Sequence, residues 1–108
     1  MYACQWHFDI PFGKQTEVLD IMKRWEEEID KDPQSPKGRG RRLMVGHVGA
    51  SASHIIHEHL VDELSDWDHA LKIVATGRFQ KYSDSLAPFI VPGSQHWIIY
   101  RVHGITTV

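Results

Sequence analysis

What the chain lacks narrows its reading first. It has a single cysteine, Cys4, so no intrachain disulfide can form, and the chain suits a reducing compartment such as the cytoplasm. No apolar run is long enough to span a bilayer, and the opening MYACQWHFDI has neither the basic segment nor the long apolar stretch of a secretory leader. A net charge of −2 gives no general pull toward nucleic acid or an anionic membrane. Internal repeats are missing too, apart from a loose duplication of strand–helix–strand. With 108 residues there is room for one hydrophobic core, so residues 1–108 are read as a single domain.

What is plentiful is histidine, eight in all, and tryptophan, four. Three of the imidazoles fall in the heptapeptide HIIHEHL, residues 54–60. Around it the periodicities are clear. Residues 2–10 alternate, with Tyr2, Cys4, Trp6, Phe8 and Ile10 on one side and Gln5, His7 and Asp9 on the other, which is a half-buried strand. Pro11 and Gly13 end it. Residues 16–31 place Val18, Ile21, Met22, Trp25 and Ile29 at helical spacing, with Glu26, Glu27 and Glu28 mostly outside, and the helix stops before Asp32-Pro33.

Residues 32–42 form a Pro/Gly loop whose bases Lys37, Arg39, Arg41 and Arg42 read as solvated rather than as an anion site, since no aromatic interleaves them. Strands are expected over 43–51 and 53–62, joined by a short turn near Ala50–Ala52. Ser65 with Asp68 resembles a capping box, so a second helix starts near Asp66 with Trp67, Ala70, Leu71 and Val74 as its stripe. Gly77 interrupts it, a shorter helical segment covers 78–87, and Pro88, Pro92 and Gly93 turn the chain into a last strand over 95–103.

The order βαββαβ in so short a chain points to an α+β, ferredoxin-like layer: a four-stranded antiparallel sheet with two helices on one face. The greasier alternation of the first strand sends Cys4, Trp6 and Phe8 under the helices. In the third strand Ile56 and Leu60 are placed on the helix side, leaving Ile55, His57 and His59 outward, because burying two imidazoles is costly unless both are hydrogen-bonded. In the last strand Ile98, Tyr100 and Val102 are expected inside, with Trp97, Ile99 and Arg101 outside. His7, His57 and His59 would then share the open face. Its apolar members call for a cover, and a two-fold homodimer enclosing a cavity supplies one.

At this point a resemblance is visible. The stretches HEHLVDELSDWDHALK and GRFQKYSDSLAPFIVPGSQHWIIYRVH resemble the dimeric α+β barrel superfamily: antibiotic-biosynthesis monooxygenases, small polyketide cyclases, muconolactone-type isomerases and NIPSNAP-like domains. The layout agrees over nearly the whole chain, and the specific similarity runs from about residue 57 to 103. In the quinone-forming monooxygenases an amide on the third strand and an aromatic opening the second helix line the pocket; the matching positions here are His57 and Trp67. The cyclases use a first-strand histidine with a partner near the second helix, and His7 and Tyr82 are the analogous residues. In heme-handling relatives the position falls on His69.

The resemblance implies a homodimer that binds a planar phenolic or polyketide-like small molecule and transforms it without a cofactor, as a cyclase, dehydratase, isomerase or monooxygenase. The chemistry assigned to the residues is proton transfer by His7, His57 and His59 with Asp9 as orienter, since imidazole titrates near neutrality. Gln5, Trp67, Tyr82, Trp97 and Arg101 are expected to bind substrate, with no metal, nucleic acid or membrane involved. Two other readings stand beside it. One is a non-catalytic ligand-binding or stress-type dimer. The other is a metal or heme site, with His57 and His59 joined by His7 or His47 as ligands. Glu58 is read as a paired carboxylate, with Arg42 or Arg101, and Cys4 as a core residue.

Overall fold

The computed structural model describes residues 1–35 and 38–105. Four strands and three helices follow one another: β1 (Tyr2–Asp9), α1 (Gln15–Lys31), β2 (Gly40–Val45), β3 (His54–Val61), α2 (Leu64–Val74), α3 (Gln80–Leu86) and β4 (His96–Arg101). Short 3₁₀ turns flank α3 on both sides. All strand pairs are antiparallel, in the order β2-β3-β1-β4. This is the expected ferredoxin-like sheet, with the interrupted second helical region resolved into two helices. Among the described residues no helix is long and apolar enough to cross a membrane.

The core sits between sheet and helices. Phe8 and Ile55 of the sheet meet Val18 and Met22 of α1, with Ile10 and Leu86 closing the cluster. Phe8, Val18 and Ile55 have no exposed surface at all. At roughly 1.5–3 kcal/mol for each fully buried large apolar side chain, these few residues supply much of the stability of a small domain.

β2 starts earlier than the sequence suggests. Gly40, Arg41 and Arg42 pair with Leu60, His59 and Glu58, so two of the loop bases are strand residues. The strand ends at Val45, and the link to β3 spans 46–53 rather than a tight turn. Gly46 sets that link: a β-carbon there would meet the backbone oxygen of Ser51 at 1.9 Å, so only hydrogen lets the chain fold back. α2 also starts earlier, at Leu64. Its capping box is Glu63 with Asp66, not Ser65 with Asp68, the two side chains serving each other's backbone N–H groups.

The register reverses two of the expected strand faces. Trp6 pairs with His57 and Cys4 with His59, so both imidazoles lie on the helix side with the core of β1. The reason is the company of each parity: Ile55 joins Phe8 in the core, whereas the other parity would have set Glu58 beneath the helices, away from the Arg42 and Gln5 side chains that satisfy its buried carboxylate on the open face. Trp97 pairs with Trp6 and Ile99 with Cys4, so in β4 too the odd residues face the helices, while Ile98 and Tyr100 take the open side. β4 is an edge strand whose Trp97 and Tyr100 are both about half exposed, on opposite faces, so its composition carried no signal of side.

Candidate functional site

Between the sheet and the helices lies a cavity of about 280 Å³. Its floor is Cys4 and Trp6 of β1, Arg41 of β2, His57 and His59 of β3 and Trp97 of β4. Its walls come from α1 through Met22, Trp25, Glu26 and Ile29, and from α2 through Trp67, Ala70, Leu71, Ile73 and Val74. All four tryptophans of the chain border this one space. Trp6 stacks on Trp97 with ring centroids 6.3 Å apart, and Trp25 stacks on Tyr82 at 6.0 Å. The result is a set of flat apolar surfaces with few polar groups among them, the usual make-up of a small-molecule site.

The polar groups converge. His57 Nε2 lies 2.5 Å from Glu26 Oε1, and Arg41 Nε lies 2.5 Å from Glu26 Oε2. Arg41 also pairs with Asp30 at the surface. Burial alone would push the Glu26 carboxyl up, but hydrogen bonds and charge from His57 and Arg41 outweigh it and hold the group below the usual carboxylate range. Glu26 is therefore a carboxylate that accepts from both neighbours. With His57 Nε2–H donating to it, the other ring nitrogen, Nδ1, is the basic one.

Glu26 is the residue the sequence reading missed. It belongs to an acidic run that reads as outward, yet it lies four residues after Met22 and three before Ile29, on the helix's inward stripe. Cys4 is a core residue as expected, 2% exposed, its thiol pushed up by burial and then by the charge of Glu58.

The expected grouping of histidines splits in two. His57 and His59 border the cavity, as do Trp67 and Trp97. Gln5, His7 and Asp9 lie across the sheet on the open face, where His7 contacts His54 and Gln5 instead. His7 thus cannot act on one molecule with His57, and neither His7 with His57 and His59 nor any other trio of His, Cys, Asp or Glu among the described residues forms a metal-holding group. Tyr82 stands behind Trp25, and Arg101 ends the exposed edge strand opposite Tyr2. Glu58 is paired with Arg42 and Gln5, as the sequence allowed. Of the loop bases, Arg39 pairs with Asp62, Arg41 with Glu26 and Arg42 with Glu58, while Lys37 lies outside the described residues.

The single chain has the same fold as solved structures of NIPSNAP and antibiotic biosynthesis monooxygenase proteins. An uncharacterized NIPSNAP domain protein from Burkholderia xenovorans superposes with a TM-score of 0.73 at 16% identity, all of each chain being covered. A NIPSNAP family protein from Agrobacterium tumefaciens strain C58 gives 0.69 at 22% identity over 93% of this chain and 90% of the other. SnoaB, a cofactor-independent oxygenase from Streptomyces nogalater, gives 0.68 at 10% identity over 96% and 94%. No family model and no curated protein matches the sequence.

Proposed function

We propose that this chain is a small-molecule enzyme acting on a planar phenolic or polyketide-like substrate by cofactor-free acid–base chemistry, with His57 as the base. The observation that carries the reading is the His57–Glu26 pair at 2.5 Å in a cavity bordered by four tryptophans. His57 Nδ1 takes a proton from a phenol or an activated methylene. The ring becomes an imidazolium held against the Glu26 carboxylate, and the substrate becomes a phenolate or enolate. Return of that proton to another substrate atom completes a cyclisation or isomerisation with no net change in electrons. The orientation of His57 by Glu26, and of Glu26 by Arg41, keeps the base in one tautomer. The same fold serves a cofactor-independent oxygenase, which supports chemistry without a bound cofactor here. We also propose that the protein works in the cytoplasm as a homodimer closed sheet to sheet.

The test is turnover of a panel of bicyclic and tricyclic phenols, followed by chromatography. His57→Ala is expected to lower turnover roughly a hundredfold or more, and Glu26→Gln by a smaller factor of about ten or more, at little change in binding. Tight binding by the parent with no product after long incubation would move the protein to the non-catalytic, ligand-holding class. Equal turnover by parent and His57→Ala would remove His57 as the base.

A further inference from the structure

The chamber is polar where it is more enclosed and apolar where it opens. Trp6 pairs with His57 on one side and with Trp97 on the other, so these three side chains form one row across β3, β1 and β4. His59, Cys4 and Ile99 form the next row by the same register. Two strand spacings put the backbones of His57 and Trp97 roughly 10 Å apart. At the β3 end stands the group of His57, Glu26 and Arg41, with the His57 and Arg41 side chains only 21% and 11% exposed. At the β4 end Trp97 is 53% exposed and Ile99 42%. Polar groups are ordinarily the ones left in water, and each row runs the other way.

The roof repeats the pattern. Leu64 and Leu71 of α2 are 43% and 40% exposed, and they lie seven residues apart on the stripe that carries Trp67. Tyr2 pairs with both Val61 and Arg101, so the first turn of α2 and the end of β4 lie at one end of the sheet. Leu64 and Leu71 above and Ile99 below therefore carry the chamber on past Trp97. Its walls change there from tryptophan to aliphatic side chains. A contiguous apolar surface left open beside a cavity is the mark of a binding groove.

We infer that the substrate is a phenol whose ring bears an aliphatic chain on the side away from the reacting hydroxyl. The ring lies among the tryptophans with its hydroxyl at His57, and the chain leaves over Ile99 beneath Leu64 and Leu71. The inference rests on the cavity reading above and adds to it the chemistry of the molecule's far end. Size supports it: the chamber's 280 Å³ falls just under the range of about 300–1,000 Å³ that encloses most drug-sized ligands, so it houses a ring system and leaves a substituent outside. A second copy is the poorer occupant, because the sheet-to-sheet pairing proposed above uses the opposite face and leaves this mouth open.

The experiment is calorimetric titration of the full chain with 4-n-alkylphenols from ethyl to heptyl, for the parent, Ile99→Asn and Leu64→Asn. Both substitutions are at partly exposed positions, and circular dichroism confirms the fold of each. In the parent, affinity should tighten about two- to fourfold with each added methylene. In either variant the loss should grow with chain length, from about twofold for the ethyl compound to tenfold or more for the heptyl one. A flat series in the parent, or an equally steep one in both variants, overturns the chain groove and leaves the cavity reading standing. Sedimentation velocity of the same three proteins supplies a further check: a parent dimer that Ile99→Asn or Leu64→Asn dissociates would give the groove to a second copy and overturn the inference. Binding of no member of the series removes the cavity reading, and the chain groove with it.

Discussion

Two carboxylates of β3 and α1 show how far a single residue's partners decide its role. Glu58 is 1% exposed, an expensive place for a charge, yet Arg42 and Gln5 between them satisfy both of its oxygens. The Arg42 hydrogen bond pulls its carboxyl below the ordinary range, burial pulls the other way, and Gln5 adds to the lowering. A lowered carboxyl contributes stability above its unfolded pKa, and that contribution fades as pH falls through the folded value. Glu58→Gln is therefore expected to lose on the order of 1–3 kcal/mol near neutrality and to converge on the parent in acid. Thermal melts of both proteins at pH 7 and pH 3 check it, and a constant gap across that range would contradict the pairing. Glu26, by contrast, spends its two oxygens on one catalytic candidate and one positioning base, so its loss should be felt in rate before it is felt in stability.

The helices differ in how firmly they are held. α1 buries Val18, Met22 and Ile29, whereas α2 buries none of its residues, and its Leu71 is 40% exposed although it borders the cavity. The roof of the cavity is thus its least anchored side, and the capping box at Glu63 and Asp66 matters more there than it would on a packed helix. Glu63→Ala should cost about 1 kcal/mol, and amide exchange should proceed faster in α2 than in α1 in the parent and faster still in the variant. Equal protection of the two helices would show that α2 is held by more than its stripe.

Elements of this kind were legible in the sequence; the faces of β3 and β4 were not. The alternation of β1 was clean because its apolar residues all fall on one parity, and its faces came out as expected. In β3 both parities mix apolar and polar side chains, Ile55 and Val61 with two imidazoles against Ile56 and Leu60 with Glu58. The deciding fact is that an imidazole can be buried neutral, whereas a buried glutamate needs charged and polar partners, and Arg42 and Gln5 supply them only on the open face. The partner that makes His57 tolerable inside, Glu26, comes from 31 positions away, and no local pattern announces such a match. In β4 the edge position leaves both sides partly in solvent, and alternation loses its meaning there.

As a whole the molecule keeps two sets of imidazoles apart with one sheet between them. His57 and His59 belong to the cavity beneath the helices; His7, His54 and His96 belong to the open face. The histidine-rich heptapeptide is therefore not one site but an alternating strand that serves both layers. The same separation has a practical outcome for the tryptophans, all of which border a single chamber. Nearly the entire ultraviolet emission of the protein originates at that chamber's walls. A molecule entering it would dim or shift most of that light at once, whereas events confined to the other side of the sheet would leave it largely unaltered, so the protein carries its own optical gauge of occupancy.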